Sequence, residues 1–108
     1  MTEFRGDTKF IFNDDGFWHC ETGPAVYGKK YEAWYINGQL HRLDGPAIIN
    51  NDDSTMWYKD NKLHCESGPA ASWPLKNHYE FYLEGIQYSP DEFNLKMLEK
   101  KLDILGLD

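Results

Sequence analysis

One phrase recurs along this 108-residue chain, and its period constrains the fold more than any single motif does. WYINGQLHRLDGPA occupies positions 34–47, WYKDNKLHCESGPA occupies 57–70, and FNDDGFWHCETGPA, altered in its first half, occupies 12–25. The histidine of each phrase falls at His19, His41 and His64, a period of 22 to 23 residues. A repeat of that length encodes one supersecondary unit that buries its apolar face by stacking on its neighbours, so the chain is expected to form a linear array.

Aligning the phrases gives columns. Phe12, Trp34, Trp57 and Phe81 share one, which makes residues 79–88 a fourth, degraded unit; Asn13, Tyr35, Tyr58 and Tyr82 share the next. Turn residues follow, among them Asn37-Gly38, Asp60-Asn61 and Glu84-Gly85. Asn-Gly after an aromatic strand predicts a two-residue type I′ hairpin, in which both central residues need positive φ. The return strand carries Trp18, Leu40, Leu63 and Gln87, then His19, His41, His64 and Tyr88. Each GlyPro (Gly23-Pro24, Gly45-Pro46, Gly68-Pro69) predicts a bulge or strand corner, because proline has no N–H for a ladder. Polar linkers at 28–30, 50–53 and 74–77 separate the units.

After Tyr88 the pattern changes. Ser89-Pro90-Asp91-Glu92 forms a capping box with proline at N1, Leu95, Leu98, Leu102 and Leu105 recur at helical spacing, and Gly106 supplies a stop. The expected architecture is mainly β: an antiparallel meander of about four hairpin repeats forming a twisted sheet over 8–88, closed by one C-terminal amphipathic helix over 89–106. A length of 108 residues suits a single domain. The helix is expected to cap the sheet, with partner binding or dimerisation as its other use. Aromatic content of 16% against a mean hydropathy of -0.70 suggests that rings supply most of the core.

The W-x-x-NG-x-x-H core at 34–41, the period near 23 and the hairpin in each unit resemble MORN repeats, in particular variant H-x-x-x-GPA arrays of small bacterial and phage proteins. The resemblance covers roughly 10–88. Arg42 and Asp44 stand near places where the standard pattern has further glycines. The resemblance implies a twisted single-layer sheet used as a binding scaffold, without catalytic residues. Some such arrays are antitoxin-associated or belong to phage–host settings, which implies an inhibitor, anti-defence or antitoxin role in the cytoplasm, the host's if the chain is phage-encoded.

A net charge of -7 works against phosphate contacts, so no nucleic acid is expected as partner. The charged amino terminus lacks an apolar leader and no 18-residue apolar run exists, so a cytoplasmic chain with no membrane contact is expected. His19-Cys20 and His64-Cys65 invite a zinc reading. Equivalent positions two units apart would lie about 19 Å apart across strands spaced about 4.8 Å, so neither a metal nor a disulfide is expected. Arg42 occupies the same column as the two cysteines, which suggests an exposed, interchangeable position.

The repeat histidines are read as structural, each bonding backbone at its own GlyPro corner. His78 lies off the column. Asp44 aligns with Thr22 and Ser67 before GlyPro and is expected to bond the corner too. The tyrosines are the better binding candidates: beside an inward Phe12, Trp34, Trp57, Phe81 column, Tyr35, Tyr58 and Tyr82 face the other way, spaced about 10 Å apart. Tyrosine couples a flat apolar area with a polar tip.

Three functions of different classes follow. The first is a non-catalytic protein that binds and inhibits a protein partner through Tyr35, Tyr58 and Tyr82, with Arg42 and Lys62 beside them. The second is a binder that sequesters a nucleotide signal by aromatic stacking, with Lys29, Lys30, Arg42 and Lys62 as the phosphate donors. The third, least favoured, is an enzyme using the repeat histidines; catalysis needs one asymmetric constellation and this chain repeats the same residues. No cofactor is implied. Exposed sheet edges or the terminal helix could also pair two copies.

Overall fold

The structure is a computed structural model and describes residues 1–106. Nine strands form one open antiparallel sheet: β1 (Thr2–Arg5), β2 (Thr8–Ile11), β3 (Val26–Tyr27), β4 (Tyr31–Ala33), β7 (Ile48–Asn50), β8 (Thr55–Met56), β11 (Ala71–Trp73), β12 (His78–Leu83) and β13 (Ile86–Tyr88), paired in that order. Between β4 and β7 the chain leaves the sheet to form the ribbon β5 (Tyr35–Ile36) and β6 (Gln39–Leu40); between β8 and β11 it forms β9 (Tyr58–Lys59) and β10 (Lys62–Leu63). The β1–β2 hairpin extends the sheet ahead of the repeats. The far ends of β12 and β13, where Tyr82 pairs with Gln87, make the last ribbon. The architecture is therefore a meander of hairpins followed by one helix, α1 (Pro90–Leu105).

Turn chemistry sets the ribbons. Asn37 and Gly38 take φ of 48° and 78°, Asp60 and Asn61 take 49° and 67°, and Glu84 and Gly85 take 50° and 81°, as type I′ turns require. The first hairpin differs. Only Gly16 is left-handed, and the loop closes through Gly16 N–H to Asn13 O (3.0 Å) and Asn13 N–H to Phe17 O (2.9 Å). The Asn13 side chain completes it, its Oδ1 accepting from Asp15 N–H (3.1 Å) and Phe17 N–H (3.0 Å).

That longer turn shifts the first unit by one residue. His19 N–H donates to Ile11 O, as His41 donates to Trp34 and His64 to Trp57. Ile11 N–H in turn donates to Ala25 O, as Trp34 does to Ala47 and Trp57 to Ala70. Ile11, not Phe12, thus stands in the Trp34 and Trp57 column, and Phe12, bridged to Trp18, takes the place that Tyr35 and Tyr58 hold in theirs. An alignment counted from the turn misses the inserted residue.

The fully buried residues are small. Ala25, Ala47 and Ala70 of the three GlyProAla corners are 0% exposed, joined by Val26, Ala33 and Ala71, while the described rings other than Phe93 remain half-buried or exposed. Where the strands turn from sheet into ribbon, the Trp34 and Trp57 N–H groups donate to the corner carbonyls of Ala47 and Ala70 at 2.7 and 2.6 Å, and the alanines there are fully enclosed. The corner alanines, rather than rings, are the centre of the core. Extents of 51 × 33 × 18 Å and a radius of gyration of 16.1 Å, against about 13 Å for a compact chain of this length, describe a thin, elongated array.

In α1, Ser89 and Glu92 form the capping box and Gly106 the left-handed C-cap, as the sequence predicts. The helix lies against β12 and β13 through Phe93, whose ring is 4.9 Å from that of Phe81, and Lys100 pairs with Glu66. Leu95, Leu98, Ile104 and Leu105 stay exposed. Only part of the predicted apolar stripe is covered.

Candidate functional site

Each histidine acts across a unit boundary. Nδ1 of His19 accepts from Asn37 N–H (3.0 Å), Nδ1 of His41 from Asp60 N–H (3.0 Å) and Nδ1 of His64 from Glu84 N–H (2.9 Å). The imidazole therefore caps the turn of the following unit and not the GlyPro corner of its own. Type I′ geometry explains the difference, since it points the first central N–H of each turn out of the ribbon toward the preceding histidine. An accepting Nδ1 places the proton on Nε2, which in His19 and His64 faces Glu21 (3.5 Å) and Glu66 (3.6 Å). Two further bonds accompany each clamp. Cys20, Arg42 and Cys65 N–H donate to Tyr35, Tyr58 and Tyr82 O, and Gly38, Asn61 and Gly85 N–H donate to Trp18, Leu40 and Leu63 O, all between 2.8 and 3.2 Å.

Strand register divides the ring columns between two faces. Tyr35 pairs with Leu40, Tyr58 with Leu63 and Tyr82 with Gln87, and directly paired residues share a face. Trp18 joins them, its ring edge-on to Tyr35 at 5.1 Å and stacked on Phe10 at 5.6 Å. The tyrosines are half-buried. Burial, and then the neighbouring Tyr31 and Tyr58, raise the Tyr35 phenol above its ordinary value. The Tyr82 phenol is raised first by its hydrogen bond to Glu80 Oε1 (2.8 Å), then by burial. Glu80 is lowered by hydrogen bonds from His78 and then Tyr82, so the proton stays on the phenol. Phe10, Trp18 and Tyr31 complete this face, and the signal for Tyr31 is its alternation with Ala33 and Tyr35 along one extended strand.

The opposite face carries Trp34, Trp57 and Phe81, separated by grooves between successive corner loops. Arg42 and Lys62 belong here: Lys62 pairs with Lys59, which lines the groove beside Trp57, and Arg42 lays its guanidinium over Trp34, Cζ 4.0 Å from the ring centre. The five binding candidates read from the sequence are thereby split, with the tyrosines on one face and the two cations on the other. The Arg42 column is not an exposed one, since Cys65 is 4% exposed. Residues two positions on hold that column in place: Arg42 Nε donates to Asp44 Oδ1 (3.0 Å), and Cys20 and Cys65 lie 3.7 and 3.4 Å from the Thr22 and Ser67 hydroxyls. Asp44 therefore serves the arginine and not the corner.

Lys29 and Lys30 sit at the β3–β4 turn, where Lys29 pairs with Asp7 (3.1 Å) and both line a groove with Thr8 and Tyr31. Cys20 and Cys65 are free thiols, and among the described residues no group of three or more His, Cys, Asp or Glu side chains is gathered as a metal would need. No helix among them is long and apolar enough to cross a membrane. Comparison with protein-family models, with curated proteins and with solved structures finds no match.

Proposed function

We propose that this chain is a non-catalytic binding protein that engages and inhibits a protein partner through the tyrosine face of its repeat sheet. The observation that carries the reading is the row of Tyr35, Tyr58 and Tyr82, flanked by Trp18 and Tyr31, along a thin array with a net charge of -7. Half-exposed rings with polar tips on a rigid strip suit a protein surface, and the acidic charge favours a basic partner. The resemblance to MORN-like arrays points the same way, toward an anti-defence or antitoxin inhibitor working in the cytoplasm. Each repeat imidazole spends its Nδ1 lone pair on a backbone N–H, which favours a structural use of these histidines over a catalytic one.

The nucleotide reading loses ground on its phosphate donors. Of the four suppliers, Lys29 is paired with Asp7, and Arg42 donates to Asp44 and to Pro46 O (3.1 Å). A thermal-shift screen against nucleotides tests it directly, because a ligand that binds the folded chain raises its melting temperature. The partner reading is tested by affinity purification from the native cell. A stoichiometric protein partner is expected, with Tyr35→Ala/Tyr58→Ala weakening capture by about tenfold or more while the chain stays folded; full capture by that double variant would remove the tyrosine face from the interface.

A further inference from the structure

The grooved face shows what one unit does with its own tryptophan. In the second unit the Arg42 guanidinium lies 4.0 Å above Trp34, with Nε on Asp44 and Nη1 on the Pro46 carbonyl. It also fills the space over Gly45: a Cβ there would meet Arg42 Cζ at 2.6 Å and Nη2 at 2.9 Å. In the fourth unit the equivalent ring, Phe81, is covered by Phe93 of α1. Trp57, between them, is the one ring of the column with neither a guanidinium nor a second ring laid on it among the described residues.

The reason lies in the sequence. Arg42 is replaced one unit on by Cys65, whose short side chain lies 3.4 Å from the Ser67 hydroxyl and lays no cation on Trp57. A Cβ on Gly68, the counterpart of Gly45, would meet nothing within 4 Å. A groove of about 320 Å³ walled by Arg42, Leu43, Lys59, Glu66 and Ser67 lies around Trp57; the matching groove around Trp34, about 470 Å³, has Arg42 itself as part of its wall. The cations at its rim are already matched: Arg42 by Asp44, and Lys59 by Glu84 at 3.7 Å.

We propose that the groove over Trp57 receives an arginine side chain presented by a basic protein partner. The incoming guanidinium would repeat the position of Arg42 one unit earlier, stacked on the indole, with the Ser67 hydroxyl, the counterpart of Asp44, in the groove wall. Arginine suits the slot better than lysine because its planar, weakly hydrated cation stacks and spreads its donors in a fixed fork. The overall charge of -7 draws such a partner in. This site lies on the face opposite the tyrosines and does not depend on them.

The test uses the full chain and capped Gly-Arg-Gly and Gly-Lys-Gly peptides, followed through the indole Nε1–H resonance of Trp57 in NMR titrations. The arginine peptide is expected to move that resonance and to bind about 3- to 30-fold more tightly than the lysine peptide. Cys65→Arg should fill the slot from within and abolish the response, while Arg42→Cys should open the Trp34 slot and add a second saturable response there. Tyr35→Ala/Tyr58→Ala should change none of this, which separates the site from the tyrosine reading. Equal binding of the two peptides, an unmoved Trp57 resonance, or undiminished binding by a folded Cys65→Arg chain would each overturn the proposal. If either variant fails to fold, the arginine–lysine comparison on the parent chain still decides.

Discussion

Between the second and third units, four hydrogen bonds tie one ribbon to the next: Arg42 N–H to Tyr58 O at 3.0 Å, Asn61 N–H to Leu40 O at 2.8 Å, Asp60 N–H to His41 Nδ1 at 3.0 Å, and Leu40 N–H to Asn61 Oδ1 at 3.3 Å. The helix, by contrast, is held through side chains: Phe93, its one fully buried residue among those described, the half-buried Met97 and Leu102, and the ion pair of Lys100 with Glu66. Attachment through backbone, copied at every boundary, tolerates variation in most side chains. Attachment through a few side chains, one of them fully buried, does not. The array should therefore open as a whole, and the helix should open first and separately.

The largest effect expected is at the one fully buried anchor. Phe93→Ala removes the one buried ring of α1, a change that costs about 3–5 kcal/mol in well-packed sites. Here the loss should appear as detachment, with hydrogen exchange accelerating in α1 and hardly changing in β4, β7 and β8. Uniform acceleration would break the distinction between the two regions. Within the array, Ala47→Leu forces a larger side chain into a corner that is 0% exposed, and a loss of about 1–3 kcal/mol is expected in urea unfolding. The exposed Leu98→Ala serves as its comparison and should stay within about 0.5 kcal/mol of the parent.

His41→Ala leaves Asp60 N–H without its acceptor and should cost about 1–2 kcal/mol, with exchange rising on both sides of that boundary. His41→Asn, which restores an acceptor, should recover part of the loss; no difference between the two variants would deny the clamp its role. The smallest effect is electrostatic. The Lys100 hydrogen bond, ahead of the other contributions, holds the Glu66 carboxyl below its ordinary range. A lowered folded-state value contributes stability that is present above the unfolded carboxylate range and lost as pH falls through the folded value. Docking of α1 should thus hold steady from neutral pH downward and loosen in acid by less than about 1 kcal/mol, since the pair is partly exposed. Lys100→Met should remove that acid step from the exchange profile of the helix.

Much of this arrangement could be read from residues, and the parts that could not share a cause. Asn-Gly at 37–38 and the Ser89–Glu92 capping box act within a few residues, and both appear as their chemistry demands. The unit length was equally plain from the histidine spacing. Contacts that cross a boundary were not legible. His41 finds its partner at Asp60, 19 residues on, and nothing in H-x-x-x-G distinguishes that turn from its own corner. Phe12 aligned with Trp34 because the extra turn residue of the first unit is invisible without the ladder. The buried column fell on alanines rather than rings because only the folded corner reveals how fully it is enclosed. For the candidate sites, period-two alternation identified the tyrosine row, whereas the uncovered ring of Trp57 emerges only when Arg42 is seen stacked on its counterpart, Trp34.

The clamps also give the array a direction. Every repeat histidine reaches forward, so each turn depends on the unit before it, except the first, which Asn13 completes from within, and each repeat histidine depends on the unit after it, except that Tyr88 stands in the last position. The first turn and the last strand of the array are thus completed locally, and an interior unit is an interchangeable module with one outgoing and one incoming joint. A chain built this way can lengthen or shorten by whole units between Ile11 and Phe81 without altering either end. Gene duplication acting on it would change how many grooves and tyrosines it displays before it changed how the protein folds.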